Sequence, residues 1–265
     1  RLVKRRLAEL LPTGGVLVRN DDDPVVSGYA APEGARTVTY ARSAPESASV
    51  GVADGWVVAG SAMTPAGHDG RILPLADIPI PGEHNVSNVL ASVAVGLLYG
   101  VAPDAIADAV RSFGGVEHRL ERVDELAGVT YINDSQGTQP DAVIAAVRAF
   151  EPPLVLIAGG RSKGNPIESL AAAVAERATA AVLIGETPSE LAAAFDAAGL
   201  ERIERAGSMD DAVARATAIA RERTPATVLL SPAAASFDMF VDYEARGRAF
   251  KAAVATIAAS GAGAR

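Results

Sequence analysis

The sequence predicts an α/β protein whose C-terminal part is a Rossmann-like domain with a mostly parallel sheet. After Glu117, apolar runs of strand length alternate with longer runs of helical period, the pattern of βαβ units. Polar, glycine-rich clusters follow the strand-like runs: NDSQGTQP, GGRSKGNP, GETP and SPAAASFD. In an open parallel sheet such clusters all lie outside one edge, which is where ligands bind. Before Glu117 the apolar runs are shorter, and a separate, smaller α/β unit is expected there.

Taken in order, the chain enters on a helical pattern, RLVKRRLAELL. From Val16 to about Gly70, the runs VLV, TVTY, SVGV and WVVAG are separated by Asp, Pro and Gly clusters and read as strands and hairpins. Val86, Val89, Leu90, Val93, Val95, Leu97 and Leu98 then recur with helical period, a break falls near Gly100, and a second helix runs from Pro103 to Ser112. The domain boundary is placed there, giving domains 1–115 and 116–265. In the second, strands are expected at Val129–Asn133, Leu154–Gly159, Ala180–Gly185 and Thr227–Ser231. Helices are expected at Pro140–Phe150, Ile167–Arg177, Ser189–Ala198, Ser208–Arg221 and after Phe240, with the tail ASGAGAR fraying.

Composition narrows the function classes. Of 265 residues, 49% are apolar and 21% charged, which suffices for a sizeable core. The net charge of −8 offers no footprint for nucleic acid or an anionic membrane, so a small-molecule substrate is expected. With no cysteine, disulfides and thiolate metal sites are excluded, and a reducing cytoplasm is compatible. No apolar run reaches the length of a membrane span, and the first residues lack the features of a signal peptide. A cytoplasmic monomer is expected.

Several segments carry candidate chemistry. GEHNVSNVLAS puts His84, Asn85 and Asn88 at the opening of a helix, where backbone N–H groups are free and polar side chains can cap the helix or meet an anion. VEHRLERV places Arg119 at the domain junction; its planar fork suits a phosphate or ribose, although a solvated surface pair would look the same. YINDSQGTQPDAV ends a strand in Asn133 and Asp134 and turns at Gly137 into a helix, which capping alone could explain. GGRSKG lacks the spacing of a dinucleotide loop, so its Lys163 is either solvated or a partner for an anion. LLSPAAASFDMFVDYEARGRAF closes a strand at Ser231, allows close backbone approach at Ala233–Ala235, and offers the Ser236 hydroxyl before a helix. The three aspartates of RNDDDPVV read as a capping, solvated or metal-binding turn.

These segments together resemble the Mur ligase family, and most closely its branch that adds D-glutamate to UDP-N-acetylmuramoyl-L-alanine. HNxxN before a helix, HR at a domain junction, NDSxxT after a strand, GGxxKG, and SPxxASFD followed by RGxxF are that family's motifs, and they stand here at residues 84–88, 118–119, 133–138, 159–164 and 231–250. The resemblance makes the first domain the C-terminal part of a central ATPase-type domain. It implies ATP and Mg2+ as cofactors, with UDP-N-acetylmuramoyl-L-alanine and D-glutamate as substrates joined through an acyl phosphate. By resemblance His84, Asn85, Asn88, Arg119 and Asp134 face the nucleotide. Gln136, Thr138, Lys163, Ser236 and the backbone of Tyr243 face D-glutamate. Gln136 departs from the family's Lys and offers only neutral hydrogen bonds, about half as strong as charge-assisted ones. Lys4, in LVKRRL, matches a catalytic lysine that is carbamylated in the family and helps to hold Mg2+. No GxxxxGK[ST] phosphate loop is present, so the sequence is expected to be a piece that is inactive alone. Another amide ligase of the superfamily, such as a folylpolyglutamate synthetase, and a non-catalytic Rossmann-like binding module are the alternative readings.

Overall fold

The computed structural model describes residues 2–262 and divides between Gly114 and Gly115 into two units. The first contains helix α1 (Leu2–Glu9), strands β1 (Val16–Asn20), β2 (Arg36–Tyr40), β3 (Ser49–Ala53), β4 (Trp56–Ala59) and β5 (Arg71–Pro74), and helices α2 (Glu83–Leu98) and α3 (Pro103–Ser112). The strands form one sheet in sequence order. Hairpins occur only from β3 onward, where pairing is antiparallel. Asp54 and Gly55 both adopt positive φ between β3 and β4, the geometry a two-residue hairpin favours. The expected hairpins fail earlier: β1, β2 and β3 pair in parallel, because the connections Asp21–Ala35 and Ala41–Ala48 return the chain to the same end of the sheet. Val38, Val50, Val57 and Leu73 from the strands pack with Leu90 and Val93 of α2 to form the core of this unit.

The second unit contains β6 (Glu121–Leu126), β7 (Val129–Asn133), α4 (Pro140–Arg148), β8 (Leu154–Gly159), α5 (Glu168–Arg177), β9 (Ala180–Ile184), α6 (Pro188–Ala197), β10 (Ile203–Arg205), α7 (Met209–Arg221), β11 (Ala226–Leu230) and α8 (Tyr243–Ala262). Strand order is β10-β9-β8-β11-β7-β6, parallel throughout except for β6. The central strands are apolar on both faces, as a sheet covered by helices on two sides requires. Successive side chains alternate between the layers. Tyr131, Val155, Ile157, Val182 and Val228 meet Val213 of α7 and Phe250 of α8. Ile132, Leu154, Leu156, Leu183 and Leu229 meet Val143, Leu170 and Phe195 of α4, α5 and α6. Burying one such side chain contributes roughly 1.5–3 kcal/mol.

Three strands escape the apolar pattern because they are short or lie at the margin. β6 reads ERVDEL and leaves its alternate side chains in solvent, β10 has three residues, and β5 ends in Pro74. Tail fraying does not begin at Ala259, since α8 continues to Ala262; the last three residues of the expected frayed tail lie outside the described residues. Among the described residues, no helix is long and apolar enough to cross a membrane.

Candidate functional site

In the second unit the order β8-β11-β7 sets three polar loops side by side, and backbone pairing fixes their relation. Gly159 N donates to Pro232 O (2.9 Å), Arg161 and Ala235 exchange backbone hydrogen bonds (2.8 and 3.0 Å), and Ala233 N donates to Gly137 O (2.9 Å). Glycine is required at two of these crossings. A Cβ at Gly160 would stand 2.2 Å from Ala235 O, and one at Gly137 would stand 2.3 Å from Asp134 Oδ2. The loop after β9 joins them: Glu186 N donates to Asp238 Oδ2 (2.8 Å) and Thr187 Oγ1 to Gly160 O (2.9 Å).

Asp134 lies at the carboxyl end of β7 and is buried. Its Oδ2 accepts from Ser231 Oγ (2.6 Å) and its Oδ1 from Leu120 N (3.2 Å). Burial pushes the carboxyl up to about 6, against the opposing pull of these two hydrogen bonds and of the Arg119 and Arg246 charges. Arg119 is exposed, and its side chain makes no hydrogen bond or ion pair among the described residues. Lys163 Nζ donates to Thr138 Oγ1 (2.9 Å), so two candidate glutamate ligands from neighbouring loops meet directly. Gln136 is exposed, with its backbone N–H donated to His118 O (3.0 Å). Ser236 is 3% exposed, yet its hydroxyl has no partner among the described residues. Tyr243 opens α8, and its carbonyl accepts from Ser135 Oγ (2.7 Å). In the same turn Ala245 N donates to Asp242 Oδ1 (2.6 Å) and Arg246 N to Asp242 O (3.3 Å), so the N–H groups of Tyr243 and Glu244 are the ones left for a carboxylate.

Residues to which the sequence assigned no site role hold this arrangement together. Arg246, Ser135 and Ser231 bond to the loops, and Asn133 Nδ2 contacts His118 Nδ1 (2.8 Å) and Glu121 Oε2 (3.0 Å). His118 sits at φ +64 and is packed against Gly247, where a Cβ would stand 2.2 Å from His118 Nδ1. Lys251 Nζ binds both Glu117 Oε1 (3.0 Å) and Glu121 Oε1 (2.6 Å). The signal available in sequence was Arg246 itself, a charge four residues before Phe250 on the stripe of α8 that faces the core.

The remaining candidates belong to the first unit. His84, Asn85 and Asn88 occupy the first turns of α2; Asn85 Nδ2 donates to Pro81 O (2.7 Å), and Asn88 Nδ2 donates to Asn85 Oδ1 (3.2 Å). Asn88 also lines a largely apolar cavity of about 350 Å³ between α2 and α3, with Val89, Ile106, Val110 and Phe113. Within the aspartate run, Asp21 pairs with Arg19 (2.7 Å), Asp22 with Arg42 (3.3 Å), and Asp23 Oδ1 accepts from Val25 N and Val26 N. Lys4 is exposed on α1 beside Arg5 and Arg6, both paired with Glu9.

Among the described residues, the group with metal-ligand spacing is Glu117, His118 and Glu121, far in sequence from Lys4. The Lys251 ammonium already bridges its two carboxylates. The donors around Lys4 therefore do not make a Mg2+ site by themselves.

Residues 118–234 match the Mur ligase glutamate ligase domain, and residues 2–96 match the Mur ligase middle domain. The chain belongs to the Mur ligase family. Within it, the chain is similar to the UDP-N-acetylmuramoylalanine–D-glutamate ligase of Thermoanaerobacter sp., with 38% identity over 97% of this chain and 56% of that protein. The fold is similar to that of UDP-N-acetylmuramate–alanine ligase from Thermotoga maritima (TM-score 0.60, 16% identity, 92% of this chain and 52% of that one). It is also similar to folylpolyglutamate synthase of Mycobacterium tuberculosis complexed with ADP and AMPPCP (TM-score 0.56, 18% identity, 84% of this chain and 49% of that one). The chain spans about half the length of the proteins it matches.

Proposed function

We propose that this chain supplies the D-glutamate-binding half, and part of the nucleotide site, of a cytoplasmic ligase that joins D-glutamate to UDP-N-acetylmuramoyl-L-alanine in peptidoglycan synthesis. The observation that carries the reading is the convergence of Thr138, Lys163 and Ser236 on the edge formed by β8, β11 and β7, beside the Tyr243 and Glu244 N–H groups that open α8. Such an edge offers an ammonium, a hydroxyl and a helix N-terminus, the groups needed to hold a dicarboxylate. The similarity to D-glutamate ligases, at 38% identity, supports the choice of amino acid.

ATP is the proposed phosphate donor. The buried Asp134 carboxylate would accept from a ribose hydroxyl, Arg119 would meet phosphate, and Asn88 with the apolar cavity behind it would seat the base. Within the first unit, His84 and Asn85 at the start of α2 are further proposed nucleotide contacts. The terminal phosphate passes to the alanyl carboxylate, and the amine of D-glutamate then displaces it as free phosphate. The protein contributes position and charge to both steps. Lys4, if carbamylated, would give Mg2+ one ligand, and the others would have to come from outside the described residues. Gln136 and the Tyr243 backbone complete the proposed glutamate contacts, and the complete enzyme is proposed to act as a monomer.

The test is phosphate release by the intact gene product with UDP-N-acetylmuramoyl-L-alanine, ATP, and D-glutamate, L-glutamate or meso-diaminopimelate in turn. Release dependent on D-glutamate is expected, and its absence would overturn the proposal.

A further inference from the structure

We propose that Arg246 is a positioning residue for the glutamate pocket, holding Ser135, and through it Tyr243, in the arrangement that receives a carboxylate. The inference rests on the ligase reading given above. Arg246 is 1% exposed. Its Nε donates to Ser135 Oγ (3.0 Å), its Nη2 to Ser135 O (2.8 Å) and its Nη1 to Ala234 O (3.1 Å). Having accepted from Arg246, the Ser135 hydroxyl donates its own hydrogen to Tyr243 O (2.7 Å). One guanidinium thereby ties the loop after β7, the loop after β11 and the first turn of α8 to one another.

Packing alone does not account for an arginine here. All three acceptors are neutral, and among the described residues no carboxylate stands in ion-pair contact with Arg246; Asp134 and Asp238 favour its charge without touching it. Burial pushes the guanidinium down to about 10, so it remains charged at neutral pH. A buried cation lacking a contacting anion carries a desolvation cost of roughly several kcal/mol, and apolar side chains of similar volume fill such space at lower cost. Two things follow from the charge that packing would not supply. The planar fork reaches three acceptors at once, which the single donor point of lysine cannot do. The positive field also lies within the segment that carries Ser236, whose hydroxyl keeps contact with solvent and bonds to no described residue, so it is open to a ligand.

The experiment uses the full-length enzyme and the variants Arg246→Lys, Ser135→Ala and their combination, with KM measured separately for D-glutamate and for ATP. Losing a charge-assisted hydrogen bond of this kind costs about 1.5–3 kcal/mol, so the D-glutamate KM of each single variant should rise roughly ten- to hundredfold while the ATP KM changes far less. The double variant should fall short of the sum of the two single effects, because the Arg246 Nε bond and the Ser135 hydroxyl act along one path. Equal rises in both KM values, additive effects, or an unchanged D-glutamate KM would each overturn the proposal. Should Arg246→Lys fail to fold, Ser135→Ala alone decides between the same outcomes. A wild-type enzyme that releases no phosphate with D-glutamate removes the ligase reading and this one together, whereas an active wild type with unaffected variants removes only this one.

Discussion

Replacing Asp134 by Asn should make the second unit more stable at neutral pH. The carboxyl of Asp134 stands at about 6 in the fold against 3.8 for an ordinary aspartate, chiefly because it is buried. The native state therefore holds the proton more tightly than the unfolded chain does. The stability this gives is fully present below pH 3.8 and is lost as pH rises through about 6. Above that, the ionised group burdens the fold by the free energy separating 3.8 from 6, about 3 kcal/mol. Asn cannot ionise. Its Oδ1 can still accept from Leu120 N, and its Nδ2 can donate to Ser231 Oγ after that hydroxyl turns around, so most of the local bonding survives. A gain of about 1–3 kcal/mol is expected at pH 7.5, shrinking towards zero near pH 4. Urea denaturation of the 265-residue chain at a series of pH values reads this directly, in the transition of the unit that holds Asp134. A variant less stable than the wild type at pH 7.5, or a difference independent of pH, would refute the reasoning. Nucleotide affinity of the intact enzyme should fall in the same variant, since the ionised form is retained at a cost in stability.

Other perturbations test neighbouring parts of the site. Ser231→Ala removes the hydroxyl that favours the ionised form of Asp134, so the midpoint of the pH dependence of the ATP KM should move upward from its wild-type position. Gly247→Ala would put a methyl group onto the ring of buried His118, and thermal unfolding should show a loss of about 1–3 kcal/mol, the usual cost of overpacking. Lys163→Met takes the ammonium from Thr138, and steady-state kinetics should show the D-glutamate KM rising roughly tenfold or more with little effect on ATP.

The parts of the molecule legible in sequence were those where one physical requirement acts alone. β7, β8, β9 and β11 are buried on both faces, so their composition announces them, and the polar loops at their ends follow from the topology of a parallel sheet. Pro140 likewise marks the start of α4, whereas α6 begins at Pro188, one residue before the expected Ser189. β6 was hidden because a marginal strand with a solvated face needs no apolar alternation. Candidate residues such as Asp134 and Lys163 could be named from motifs, but their neighbours could not be read in the same way. Ser135, Ser231 and Arg246 act through contacts between residues about a hundred positions apart, and local period carries no trace of such pairing. Gly247 needed its neighbour to be seen, since only the approach of His118 explains the absence of a side chain there.

Within a few turns of α8, Tyr243, Arg246, Gly247 and Lys251 address the loop after β7, the loop after β11 and the segment around His118. All six strands precede that helix in the chain. During synthesis the sheet can therefore assemble while the loops at its edge are still untethered, and they acquire their final shape only when α8 docks. A nascent chain that has emerged as far as β11 would own a core without a pocket, and ligand binding would report completion of the domain rather than collapse of its sheet.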